Sequence, residues 1–63
     1  LQSVILAAVD DLQEDLRTAL MLREFDGLSY EEIAEIMACP VGTVRSRIFR
    51  ARETIEKKIA QMG

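Results

Sequence analysis

The sequence predicts an all-α protein, a compact four-helix bundle that contains a helix-turn-helix and forms one domain over residues 1–63. Apolar residues recur at helical spacing along nearly the whole chain, with no run of strict alternation that would mark a strand. Capping and turn residues cut that pattern at three places, which leaves four helices joined by short connections. Positive charge is gathered at one end. Residues 45–63 hold six basic residues against Glu53 and Glu56, a net +4, whereas residues 1–44 hold only Arg17 and Arg23 against nine acidic residues, a net −7. Because ions screen charges beyond about 8–10 Å, that local excess matters more to a partner than the total of −3.

The first helix is signalled by Leu1, Val4, Ile5, Ala8, Val9 and Leu12, an amphipathic stripe interrupted at Asp10-Asp11. Asp11 and Glu14 have the spacing of a capping box, so the second helix is expected to begin near Gln13. Leu16, Ala19, Leu20 and Leu22 point inward on it, with Arg17 and Arg23 outside, and it ends at Phe25-Asp26-Gly27, where Gly27 suits a left-handed terminus. Ser29-Tyr-Glu-Glu32 is a cleaner capping box, and Leu28 with Ile33 supplies the hydrophobic staple around it. The third helix is expected over residues 30–38 with Ile33, Ala34, Ile36 and Met37 as its apolar face. Pro40 disfavours helix at Cys39 and forces the break. The fourth helix runs from about 41 to 61, its line kept by Val44, Ile48, Ala51, Ile55, Ile59 and Met62.

Helices over 30–38 and 41–61 separated by so short a turn have the layout of a helix-turn-helix, in which the second helix enters the major groove of DNA. Small Ala34 permits their close approach, with Val44 as its apolar counterpart. A helical wheel divides the arginines. Opposite the apolar line lie Gly42, Ser46, Phe49, Arg50 and Glu53, with Thr43 and Arg45 flanking. Arg45 and Arg50 are the candidates for guanine, whose O6 and N7 accept two guanidinium hydrogen bonds. Ser46 suits a base edge, and Phe49 suits a thymine methyl or a sugar, its alternative being core packing. Gly42 and Thr43 are placed for phosphate at the helix N-terminus. Arg47, on a flank, faces phosphate or solvent. Arg52, at the edge of the core stripe, is expected to pair with a carboxylate.

Other chemistries find little in the sequence. There is no histidine and only one cysteine, so no metal, cofactor or internal disulfide is expected, and Cys39 reads as a small filler in the turn. No nucleophile–base pair or phosphate-binding glycine loop is visible, which predicts a binding module with no small-molecule substrate rather than an enzyme. No apolar run approaches the roughly 18 residues of a membrane span, so membrane insertion is not expected. A start at Leu1 rather than Met predicts an excerpt of a longer chain.

Asp26-Gly-Leu-Ser-Tyr-Glu-Glu-Ile-Ala34, followed by Cys39-Pro-Val-Gly-Thr-Val-Arg-Ser-Arg-Ile-Phe-Arg-Ala-Arg-Glu53, resembles region 4 of bacterial sigma factors. The similarity is to the extracytoplasmic-function group of the sigma-70 family, of the envelope-stress, sigma-E-like type. It implies a cytoplasmic protein that binds the promoter minus-35 element for transcription initiation. It also implies contact with the beta-subunit flap of the RNA polymerase core, and masking by an anti-sigma factor. It adds Arg23 and the Tyr30 hydroxyl as DNA-backbone contacts. Gln13 departs from the proline that many relatives carry at that helix start, and region 2, which melts the minus-10 element, is absent. Two alternatives stand beside this reading. One is a protein-interaction module, since Leu1, Leu6, Met21, Leu22 and Phe25 exceed what one small core needs. The other is a response-regulator effector domain of the same four-helix layout, which would dimerise through a last helix whose outer face here carries Glu56, Lys57 and Lys58.

Overall fold

The computed structural model describes residues 2–62, with side chains described for residues 6–61. Leu1, Val4, Ile5 and Met62, expected on apolar faces, therefore lie outside the described side chains. Four helices follow in order: α1 (Gln2–Asp10), α2 (Glu14–Glu24), α3 (Tyr30–Met37) and α4 (Val41–Met62). Among the described residues there is no strand. α4 packs against each of the other three and is the axis of the molecule. Its 22 residues, at 1.5 Å each, span about 33 Å, which accounts for the 36 Å long dimension of a body only 18 × 15 Å across.

The core is built on the first three turns of that axis. Val44, Ile48 and Ala51 are buried there against Leu16, Ala19 and Leu20 of α2 and Ile33 and Ala34 of α3, with Val9 and Leu12 closing one end. Ala34 and Val44 are both buried, as the helix-turn-helix pattern predicts. Beyond Ala51 the line loosens: Ile55 is half-buried and Ile59 is exposed. Ile36 departs from its expected inward role. It is 60% exposed, because an eight-residue helix packed on one side buries the Ile33–Ala34–Met37 edge and turns residue 36 outward.

The ends of the helices follow local chemistry with two corrections. Ser29 caps α3 as expected: its hydroxyl accepts from the Glu32 amide at 3.1 Å, and the Glu32 carboxylate accepts from the Ser29 amide at 2.9 Å. Those bonds lower the pKa of Glu32, the backbone bond contributing most. Gly27, at φ 67°, takes the left-handed conformation after α2. The capping box expected at Asp11–Glu14 does not form. Gln13 is the N-cap, without a side-chain hydrogen bond, and Asp11 pairs with Lys58 of α4 instead. α3 ends one residue before its expected limit, because Ala38 itself adopts a left-handed conformation (φ 54°, ψ 50°). That conformation is uncommon for a residue with a Cβ. It lets the Ala38 and Cys39 amides bond back to carbonyls of Glu35 and Ala34, and Pro40 then opens α4.

Candidate nucleic-acid interface

The first three turns of α4 have one buried line and one open face. Val44, Ile48 and Ala51 make the buried line. Arg45, Ser46, Phe49 and Arg50 are all exposed, so the four residues assigned to base reading lie together on solvent-facing helix. Phe49 is 67% exposed, which removes its alternative role as core. The ring stands in solvent on the same stretch of helix as Arg45 and Arg50.

The N-terminus of α4 supplies backbone donors beside that face. The Pro40 carbonyl accepts from the amides of Thr43 (3.0 Å) and Val44 (3.2 Å), so the donors left without an intrahelical acceptor are those of Val41 and Gly42. Gly42 is exposed, and nothing in the protein lies within 4 Å of a Cβ built on it. Packing therefore does not demand glycine there, while an approaching phosphate would benefit from the bare backbone. α2 borders the same region: Gln13, Asp15 and Leu16 share a shallow hollow with Gly42, Thr43, Ser46, Arg47 and Arg50.

The remaining basic residues divide differently. Arg47 is half-buried, its Nε 3.6 Å from Asp15 Oδ2 and its Nη1 3.6 Å from the Cys39 sulfur, so it is held inside the domain rather than facing open solvent. Asp15, two helices away in sequence, is the residue at this interface that the sequence pattern did not single out. Arg52 pairs with Glu24, as its place on the wheel predicts, with Nε 3.1 Å from Oε1. That bond is the main cause of a pKa raised above the ordinary arginine value. Arg23 donates to the Leu28 carbonyl at 2.9 Å and stacks on the Tyr30 ring, its guanidinium carbon 4.9 Å from the centroid. The Arg45 guanidinium carbon lies 5.8 Å from the same centroid.

A second feature is apolar. Val9, Leu20, Phe25 and Ile55 line a groove of about 280 Å³ rimmed by Glu24 and Arg52. Phe25, at the C-cap of α2, is 63% exposed and Leu6 of α1 54%, with Met21 of α2 also exposed. The surplus of large apolar residues noted in the sequence is thus partly on the surface, though Leu22 packs against the core. Among the described residues no cluster of metal-ligating side chains occurs, and no helix is long and apolar enough to cross a membrane.

Comparison with known proteins locates these features in a wider group. Residues 2–55 match the family described as sigma-70, region 4. An ECF RNA polymerase sigma-E factor of Haemophilus influenzae is 66% identical over 59 residues, covering 94% of this chain and 31% of the relative. Proteins of the same description from Salmonella typhimurium LT2 and Escherichia coli K12 are each 64% identical over 59 residues, with the same coverage. The chain thus spans about a third of the length of the curated relatives it matches.

Proposed function

The chain belongs to the sigma-70 region 4 family, and from that premise we propose that it binds the promoter minus-35 element and so anchors RNA polymerase for transcription initiation. The observation that carries the reading is the placement of Arg45, Ser46, Phe49 and Arg50 together on the exposed face of α4, opposite its buried line. Arg45 and Arg50 read guanine through paired hydrogen bonds, Ser46 bonds a base edge, and Phe49 packs on a thymine methyl or sugar. The Gly42 amide, the Thr43 and Tyr30 hydroxyls and the outer N–H groups of Arg23 hold phosphates, which fix the register without reading sequence. Arg47 joins them only when released by Asp15. The role is binding rather than catalysis, exercised with polymerase in the bacterial cytoplasm.

The groove on α1, α2 and α4 favours a concurrent protein partner. Its apolar floor lies away from the arginine face and suits an apolar segment of the polymerase beta flap, or of an anti-sigma factor competing for it. The two roles are therefore compatible in one complex.

Titration of the chain with a minus-35 duplex and with a scrambled duplex, each at two salt concentrations, tests the DNA reading. The minus-35 duplex binds more tightly, and both affinities fall steeply with salt as counterions are released. Arg50→Ala costs about 1–3 kcal/mol and relaxes preference at one base pair. A flat salt response, or equal binding of both duplexes, would sink the proposal.

A further inference from the structure

We propose that the Tyr30 ring is a specificity-determining platform for Arg45, and that Arg23 is the positioning residue that holds the ring in place. This rests on the assignment of the α4 face to base reading and adds a residue on another helix that acts through it. Two guanidinium groups lie over one ring, Arg23 at 4.9 Å and Arg45 at 5.8 Å from its centroid, both inside the range of about 6 Å at which a cation is drawn to an aromatic face. The two are not equivalent. Arg23 is anchored through the same guanidinium, whose Nη1 donates a 2.9 Å bond to the Leu28 carbonyl in the turn that the capping box of α3 closes. Tyr30, the first residue of α3, is half-buried and packed against the core. Ring and Arg23 are therefore one braced unit.

Arg45 is exposed, and among the described residues no carboxylate pairs with it. The Tyr30 ring is thus what restrains its guanidinium. A long side chain loses rotamer freedom when it docks, and a contact that already limits those rotamers lowers that cost. The restraint matters for paired hydrogen bonds to guanine, where two donors must meet two acceptors in one plane, and much less for a phosphate, which accepts from many directions. Loss of the ring should therefore reduce discrimination at the base pair that Arg45 reads and leave the pair read by Arg50 unchanged. Loss of the hydroxyl alone removes only a phosphate contact, which weakens all sequences alike.

The test uses the whole chain and duplexes randomised over one helical turn, with relative affinities read by sequencing the bound fraction and folding checked by circular dichroism. Arg45→Ala first identifies the base pair that depends on Arg45. Tyr30→Phe is expected to keep discrimination there, with a uniform drop in affinity. Tyr30→Leu is expected to show that uniform drop and to lose, in addition, about 3- to 10-fold in discrimination at that pair. Tyr30→Gln, which suits a first helical turn, is the second ring-free variant and should match Tyr30→Leu. Arg23→Gln should give the same position-specific loss in smaller degree, beside a uniform drop from its own lost phosphate contact. Equal, position-independent losses in Tyr30→Phe and the ring-free variants would overturn the inference and make Tyr30 a phosphate contact through its hydroxyl. Undiminished discrimination in the ring-free variants would also overturn it. A wild-type chain that binds every duplex alike removes the base-reading assignment and this inference with it, an outcome distinct from those two.

Discussion

Neutralising Asp15 tests whether its ion pair withholds Arg47 from phosphate. Arg47 lies 3.6 Å from Asp15, with side-chain exposures of 27% and 49%, so the pair is partly screened but occupied. Asp15→Asn removes the charge and keeps the oxygen that accepts from the Leu16 amide. The lost ion pair contributes about 0.2–1 kcal/mol at this exposure. The lost negative charge in the first turn of α2 contributes a further 0.3–1 kcal/mol or so through the helix dipole. Together these predict a stability loss of about 0.5–2 kcal/mol, or several degrees in Tm for a domain of this size. Binding should move in the opposite direction. Freed Arg47 can neutralise one more phosphate, which steepens the slope of log affinity against log salt by about 0.9. Raising salt fourfold, from about 50 to about 200 mM, then weakens the variant about 3.5-fold more than wild type. Fluorescence anisotropy with a minus-35 duplex across that range reads the slope, and Arg47→Gln added to the variant should restore it. If Arg47→Gln alone flattens the wild-type slope by the same amount, Arg47 already meets phosphate despite Asp15, and the reasoning fails.

Gly42→Ala should raise helix stability by up to about 1 kcal/mol, since a Cβ there meets only open space. It should nonetheless weaken binding to all duplexes alike, because the methyl group stands off a phosphate; thermal melts and titrations of one sample check both halves, and undiminished affinity would refute the close approach. Ser29→Ala should cost about 0.5–2 kcal/mol by removing the cap of α3. The Glu32 carboxyl of that box has its pKa lowered below the ordinary 4.5, so its contribution is present above that value and is lost as pH falls through the depressed one. In melts as a function of pH, the gap between wild type and Glu32→Gln should narrow only below about pH 4.5.

The helices themselves were largely legible because what makes them acts within a turn or two of chain. Ser29 and Glu32 find each other at a separation of three residues, Gly27 needs only its own missing Cβ, and the stripe Val44–Ile48–Ala51 is fixed by helical spacing. Where local signals misled, a distant partner had intervened. Asp11 and Glu14 have the spacing of a cap, but Asp11 is drawn to Lys58, 47 residues on. Ala38 takes a left-handed conformation that its side chain does not favour, because the turn between two packed helices requires it.

On α4, residue order alone places a basic, exposed face after a tight turn and says which residues share it. Periodicity suffices for that, since direction around a helix is set by residue number. What each arginine is free to do depends on how the helices pack. Arg47, Arg50 and Arg52 are near neighbours in sequence, yet Asp15 holds the first, the second stands open, and Glu24 holds the third. Nor does spacing reveal that Arg23 and Arg45, 22 positions apart, stack on one tyrosine. Electrostatic and stacking partners are chosen by proximity in space, and for charges carried on different helices that proximity exists only after the helices have packed.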